Sequence, residues 1–112
     1  MNIPLEITPA EVKRRLDDGD PMVILDVREP VEYQQARIDG SELIPMGSVP
    51  GSLQALEAKA DDSTIIVVCH HGVRSLNVVA WLRKQGLEAC QSMQGGIDRW
   101  SLEIDPTVPR YF

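Results

Sequence analysis

The sequence predicts an α/β fold in which a parallel sheet is covered by helices on both faces. Two apolar runs rich in β-branched residues, Met22–Val27 and Ile65–Val68, have the composition of strands that are buried on both sides. Stretches with helical periodicity and with helix start and stop signals alternate with such runs along the chain. This alternation is typical of parallel strands joined by crossover helices.

The first elements are a short strand and a well-marked helix. Ile3–Ile7 predicts the strand. The sequence Thr-Pro-Ala-Glu at residues 8–11 predicts a helix start, because a threonine cap, a proline in the first turn and a glutamate three residues after the cap all occur together. The helix is expected to run to about Asp18, with Val12 and Leu16 facing inward.

The middle of the chain continues the alternation. After the strand Met22–Val27, Pro30 opens a short helix that should reach Ala36, with Val31 and Tyr33 packing inward. Glu42–Ile44 predicts a third strand. The following segments are predicted from glycine, proline and periodicity signals: a loop at Pro45–Pro50, a helix from Gly51 to Ala60, a strand at Leu87–Met93, a turn at Gly95 and Gly96, and a helix from Ile97 to Leu102.

Composition favours one globular domain over residues 1–112. Of the 112 residues, 43% are hydrophobic and 25% are charged, and the formal net charge is −6. This charge and the lack of a basic run argue against a nucleic-acid surface. No apolar run reaches the ~18–20 residues of a membrane span, and the N-terminus carries no basic, apolar leader. Two cysteines without such a leader indicate free thiols and a cytoplasmic location.

The loop that follows the central strand carries the candidate chemistry. The strand Ile65–Val68 stops at Cys69, and an apolar helix begins near Ser75 and ends at Gly86. A thiol at a strand end that faces a helix N-terminus meets unpaired backbone N–H groups and a partial positive charge. Both features favour the thiolate, whereas the alternative for Cys69 is a buried cysteine that acts as a small hydrophobic residue.

The residues after Cys69 add further donors. His70, His71 and Arg74 supply positive or hydrogen-bonding groups, and Gly72 allows the backbone to turn its amides inward as a cradle for an anion. Neither the adjacent histidines nor the separated carboxylates match zinc-ligand spacing, and no glycine-rich nucleotide loop occurs. We therefore expect neither a metal nor a cofactor.

Four segments in order resemble the rhodanese family of sulfurtransferases. Cys-His-His-Gly-Val-Arg-Ser at residues 69–75 is similar to the family's active-site loop. Leu25–Glu29 resembles its Asp-x-Arg motif, Glu32–Pro45 its Glu-Tyr…Gly-His-Ile…Ile-Pro segment, and Gln94–Trp100 its closing Gly-Gly-x-x-x-Trp motif. One departure is Ala36-Arg37-Ile38, which stands where the family usually has Gly-His-Ile.

The resemblance implies a rhodanese-like three-layer sandwich with a mainly parallel, five-stranded sheet. It also implies that Cys69 accepts a sulfane sulfur from an anionic donor such as thiosulfate, as a persulfide, and passes it to cyanide, a small thiol or a protein thiol. Asp26 and Arg28 would support the site, and we favour a structural ion pair between them. The residues expected to bind the substrate are His70, His71, Gly72, Val73, Arg74 and Ser75.

Two other functions remain open from the residues alone. Cysteine phosphatases and arsenate reductases also place a cysteine and an arginine around an anion, but they use Cys-x5-Arg. Here four residues, His70–Val73, separate Cys69 from Arg74, so the ring of amides should suit a single sulfur better than a phosphoryl group. A non-catalytic sensing module is the third possibility. Cys90 is interpreted as structural, with a redox-partner role as the alternative.

Overall fold

A computed structural model describes residues 3–111, and its centre is a five-stranded sheet. The strand order is β1-β5-β4-β2-β3, and all four neighbouring pairs are parallel. The predicted fold class is therefore confirmed, with β4 at the centre of the sheet. The strands are β1 (Glu6–Ile7), β2 (Met22–Asp26), β3 (Glu42–Leu43), β4 (Thr64–Val68) and β5 (Cys90–Met93).

Within residues 3–111, five α-helices connect or follow these strands. The cap predicted for the first is present, because the Thr8 side chain accepts a 3.2 Å hydrogen bond from the Glu11 amide. No helix within residues 3–111 is long and apolar enough to cross a membrane. The helices are α1 (Pro9–Asp17), α2 (Pro30–Gln35), α3 (Leu53–Ala60), α4 (Val73–Lys84) and α5 (Gly96–Glu103). One 3-10 turn, Met46–Ser48, lies in the predicted loop, and a second, Pro50–Ser52, replaces the predicted start of α3 at Gly51.

The central strand divides the core into two apolar clusters. Ile65 and Val67 belong to a cluster with residues of α3 and α4, whereas Ile66 and Val68 belong to a second cluster with residues of α1 and α5. The four apolar side chains of β4, Ile65–Val68, have an exposure of 0%. Because alternate residues of a strand point to opposite faces, this division gives the helix–sheet–helix layering.

Some predicted details are wrong. Val31 is 63% exposed and Leu16 is 37% exposed, although both were expected to face inward. α2 has only six residues and contains no fully buried side chain, so its apolar residues are not all needed for the core. β1 is confined to Glu6–Ile7, because only these residues pair with β5. The sequence left open whether Tyr111 and Phe112 fold back or stay loose, and Phe112 lies outside the described residues.

Candidate active site

A left-handed glycine connects β4 to α4. Gly72 has a φ of 103° and is the N-cap of α4, which begins at Val73, two residues earlier than the sequence predicted. A Cβ atom on Gly72 would lie 3.2 Å from the Gly95 amide nitrogen, so both conformation and space favour glycine here. As a result, Arg74 and Ser75 belong to the first turn of α4, directly after the loop that contains Cys69.

The Cys69 sulfur lies against this helix N-terminus. Cys69 is 1% exposed, and its Sγ accepts hydrogen bonds from the Gly72 amide at 3.0 Å and the Ser75 amide at 3.3 Å. The Ser75 hydroxyl also lies 3.3 Å from the sulfur and 2.7 Å from the hydroxyl of Ser92 on β5. Three donors, the two amides and the Ser75 hydroxyl, can therefore surround a thiolate. Ser92 extends this series of hydrogen bonds and was not identified from the sequence.

The start of α5 forms backbone hydrogen bonds to the loop that follows β4. The Ile97 amide donates to the Cys69 carbonyl at 2.8 Å, and the Asp98 amide donates to the His70 carbonyl at 3.2 Å. A Cβ atom on Gly96 would lie 2.3 Å from the Cys69 carbonyl oxygen, so the two backbones touch. The turn predicted at Gly95 and Gly96 therefore fixes the carbonyl groups of the active loop.

Arg74 is bound by a carboxylate of α2. Its two terminal nitrogens donate to the Glu32 oxygens at 2.7 and 2.9 Å. The hydrogen bond from Arg74 is the main reason that the pKa of Glu32 is lowered to about 2, and the same bond raises the pKa of Arg74. The sequence suggested a guanidinium open to an oxyanion donor, whereas the structure pairs this guanidinium with a residue 42 positions earlier.

The predicted interaction between Asp26 and Arg28 is a buried ion pair. Asp26 is 1% exposed and Arg28 is 0% exposed. Arg28 Nη2 donates to Asp26 Oδ2 at 2.7 Å, and Arg28 Nε donates to Asp26 Oδ1 at 2.9 Å. Burial lowers the pKa of Arg28, but the hydrogen bonds to Asp26 and Tyr111 outweigh burial and leave it raised. Arg28 also donates to the Ala36 carbonyl. The Ala36-Arg37-Ile38 segment, which departs from the family's usual sequence, therefore supports this ion pair through its backbone.

The C-terminal tail folds back onto these two ion pairs. The Tyr111 hydroxyl donates to Glu32 Oε2 at 2.7 Å and accepts from Arg28 Nη1 at 2.9 Å. Its ring stacks on His70 with centroids 3.9 Å apart and planes inclined by 13°. Burial is the first cause that raises the pKa of Tyr111 to about 12, so the hydroxyl stays protonated and keeps its donor role near neutral pH.

The two histidines differ in their environments. Burial lowers the pKa of His70, which favours the neutral ring, and its Nε2 has no hydrogen-bond partner among the described residues. His71 is exposed, and its Nε2 lies 3.9 Å from Asp98 Oδ2. The possible metal-ligand atoms of His70, His71 and Asp98 lie within 4.8 Å of one another, a grouping that sequence spacing did not reveal. Both Asp98 oxygens accept hydrogen bonds from Arg110, and the rings of His70 and His71 are stacked with their centroids 3.9 Å apart.

Cys90 lies apart from this loop, at the start of β5. Its side chain is fully buried, and its thiol donates to the Leu87 carbonyl at 3.3 Å. Burial raises the pKa of the Cys90 thiol. Both properties oppose thiolate formation and agree with a structural role.

The fold and the cysteine loop match one known family along most of the chain. The profile of the rhodanese-like domain matches residues 8–103. The chain belongs to the rhodanese-like domain family. It is 35% identical to the thiosulfate sulfurtransferase GlpE of Pseudoalteromonas translucida over 104 residues, which cover 93% of this chain and 95% of GlpE.

A solved structure and a longer relative extend the comparison. A rhodanese-related protein from Thermoplasma volcanium has a TM-score of 0.78 and 31% identity, covering 90% of this chain and 94% of that protein. The probable adenylyltransferase/sulfurtransferase MoeZ of Mycobacterium tuberculosis is 37% identical over 105 residues, 94% of this chain. This chain spans only 26% of MoeZ. The family is therefore shown over almost the whole chain, and sulfurtransferases are among its relatives.

Proposed function

We propose that this protein is a sulfurtransferase that carries a sulfane sulfur as a persulfide on Cys69. The observation that supports the proposal most strongly is the position of the Cys69 sulfur. It lies at the N-terminus of α4, within hydrogen-bonding distance of the Gly72 and Ser75 amides. These donors are fixed before any substrate binds, so they can stabilise a sulfur anion without reorganisation.

The first step forms the persulfide. The Cys69 thiolate attacks the outer sulfur of an anionic donor such as thiosulfate, a new S–S bond forms, and the donor's own S–S bond breaks. Sulfite leaves with the electron pair of the broken bond, so charge and electrons balance and no redox cofactor is needed. Because Cys69 is 1% exposed, we infer that the site admits one small sulfur atom to the nucleophile and keeps the rest of the donor outside.

The second step returns the cysteine to the thiolate. A nucleophilic acceptor, which is cyanide in an assay or a small or protein thiol in the cell, attacks the outer sulfur of the persulfide. The S–S bond breaks and its electron pair stays on Cys69. During both steps, the Gly72 and Ser75 amides remain beside the negative charge, which moves by one sulfur atom. We place these acceptors in a reducing, cytoplasmic setting, in keeping with two free cysteines.

The thiosulfate:cyanide transfer assay tests this function with two cysteine variants. Cys69→Ser should reduce the rate to background, because serine has a similar size but its hydroxyl does not ionise at the assay pH. Cys90→Ser is the matched control and should keep most of the activity, since Cys90 is buried away from the loop. Circular dichroism checks that both variants are folded. Substantial transfer by folded Cys69→Ser would reject the proposal.

A phosphatase is the competing function, and the loop disfavours it. Only four residues separate Cys69 from Arg74, and the guanidinium of Arg74 is occupied by Glu32. A phosphoryl group needs several donors directed at its three equatorial oxygens. The contacts of Arg74 therefore favour sulfur transfer, and the same preparation should show negligible hydrolysis of aryl phosphates.

A further inference from the structure

We propose that Glu32 and Tyr111 determine donor specificity by keeping Arg74 in a neutral pair, so that the site prefers a persulfide to the thiosulfate dianion. This inference rests on the proposed function and specifies its donor. Glu32 and Tyr111 contact neither the sulfur nor the loop amides in the described structure. Their effect is on the charge that an approaching donor meets.

The contacts of Glu32 leave Arg74 little freedom to turn towards a donor. Glu32 binds both terminal nitrogens of Arg74, and the Tyr111 hydroxyl donates to the same carboxylate at 2.7 Å. The Glu32 side chain is only 17% exposed, so water competes weakly for this bidentate pair. A donor that bound the two terminal nitrogens of Arg74 in this bidentate way would first have to displace a carboxylate held by four hydrogen bonds, since the Glu29 amide also donates to it.

The remaining charges near the loop are also compensated. Arg28 is neutralised by Asp26, and Arg110 donates to Asp98. The lowered pKa of His70 favours its neutral form, and the whole chain carries a net charge of −6. A dianion that approaches the Cys69 thiolate therefore gains mainly from backbone dipoles. The ionised persulfide of a neutral thiol carries one negative charge less and meets less repulsion.

Transfer from such a donor is chemically balanced. The Cys69 thiolate attacks the outer sulfur of the donor persulfide, the donor S–S bond breaks, and the donor leaves as a thiolate. The cysteine persulfide formed is the same species as in the thiosulfate reaction. The two donors therefore differ in the charge and shape of the leaving group, and Arg74 can distinguish these properties.

The tail residue Tyr111 links the parts of this arrangement. Tyr111 lies beyond residues 8–103, the part matched by the family profile. It joins three features of the site, because its hydroxyl binds Glu32 and Arg28 and its ring covers His70. Tyr111 is thus a positioning residue that acts on the donor through Glu32 and Arg74.

The test compares kcat/KM for thiosulfate and for 2-hydroxyethyl persulfide in the full chain. Glu32→Gln keeps an oxygen that can cap the Glu29 amide but removes the charge that holds Arg74. A freed guanidinium that gains one charge-assisted hydrogen bond to thiosulfate should raise kcat/KM for this donor about tenfold, mainly through a lower KM. Use of the persulfide donor should change less than about twofold, because that donor carries no sulfonate group for Arg74 to bind.

Two further variants separate specificity from structural damage. Tyr111→Phe keeps the aromatic stack on His70 and removes only the hydroxyl. Thiosulfate use should rise about threefold, less than in Glu32→Gln, because the Glu32 carboxylate loses one hydrogen bond but keeps its charge. Glu103→Gln removes a carboxylate that pairs with Arg99 on α5, and it controls for the change in net charge. It should leave both donors unchanged.

The outcomes distinguish this inference from the function on which it rests. If folded Glu32→Gln uses the persulfide normally but gains nothing with thiosulfate, the specificity inference is wrong and the sulfurtransferase function stands. An equal gain in Glu103→Gln would also overturn it, because net charge alone would then explain the effect. If the wild-type protein accepts sulfur from neither donor, the proposed function fails and this inference fails with it.

Discussion

At the scale of single residues, Cys69 owes its chemistry to partners that are close in sequence and to one that is not. The Gly72 and Ser75 amides come from the same loop and helix start, so a strand–loop–helix pattern is enough to predict them. Ser92 belongs to a different strand, and its hydroxyl reaches Ser75 only because β4 and β5 are neighbours. A serine within a strand carries no sequence signal for such a contact.

The Arg74–Glu32 pair shows the same limit. Arg74 was predicted as a site residue from its place in the loop, but its partner lies on α2 and could not be found by spacing. Asp26 and Arg28 are two residues apart, so their pairing was within reach of the sequence. The contact of Tyr111 with both pairs depends on how the tail folds, and tail residues follow no periodic pattern.

Glu32 should make the stability of the fold depend on acid pH. Its pKa in the folded state is about 2 against 4.5 for a free side chain, so its contribution is complete above about pH 4.5 and is lost as the pH falls towards 2. Its partly exposed position reduces this contribution to on the order of 2 kcal/mol. Urea denaturation should therefore show that the difference in free energy of unfolding between wild type and Glu32→Gln shrinks from pH 6 to pH 3. A difference that stays constant over this range would contradict the assigned role.

At the scale of elements, the active loop is fixed between α4 and α5. The start of α4 supplies amides to the sulfur, and the start of α5 supplies amides to the Cys69 and His70 carbonyls. Apolar periodicity predicts that a helix is present more reliably than it predicts the first residue of the helix. The predicted start at Ser75 was two residues late, because a glycine N-cap without a side-chain bond leaves the boundary undefined in the sequence.

Gly96→Ala should damage the loop through the backbone. The new Cβ would lie 2.3 Å from the Cys69 carbonyl oxygen, and residue 96 has a φ of 60°, so both a clash and conformational strain arise. We expect a loss of about 2–4 kcal/mol in the free energy of unfolding and a large fall in sulfur transfer. Thermal or urea denaturation measures the first effect.

Gly51→Ala is the matched control for that substitution. No atom lies within 4 Å of a Cβ at residue 51, so this variant should keep wild-type stability and activity. If Gly96→Ala behaves like Gly51→Ala, the contact between α5 and the loop does not fix the cysteine.

At the scale of the whole molecule, the sequence predicted the layered fold because its signals are repeated. Buried apolar runs, helix caps and turn glycines occur in alternation, and a misplaced boundary at β1 or α4 leaves the order of elements unchanged. The parallel sheet then brings the ends of β2 and β4 to one edge, where Asp26 is the last residue of β2 and Cys69 directly follows β4. The predicted burial of Val31 and Leu16 was wrong. A single apolar residue on a short helix, or in the last turn of a helix, can face solvent without loss of the core.

Mass spectrometry of the intact protein after incubation with thiosulfate tests the central claim most directly. The wild-type protein should gain the mass of one sulfur atom, peptide mapping should place it on Cys69, and cyanide should remove it with formation of thiocyanate. Cys90→Ser should gain the same mass, and Cys69→Ser should gain none. A wild-type protein that takes up no sulfur from thiosulfate or from a persulfide donor, or that carries it on Cys90, would contradict the account.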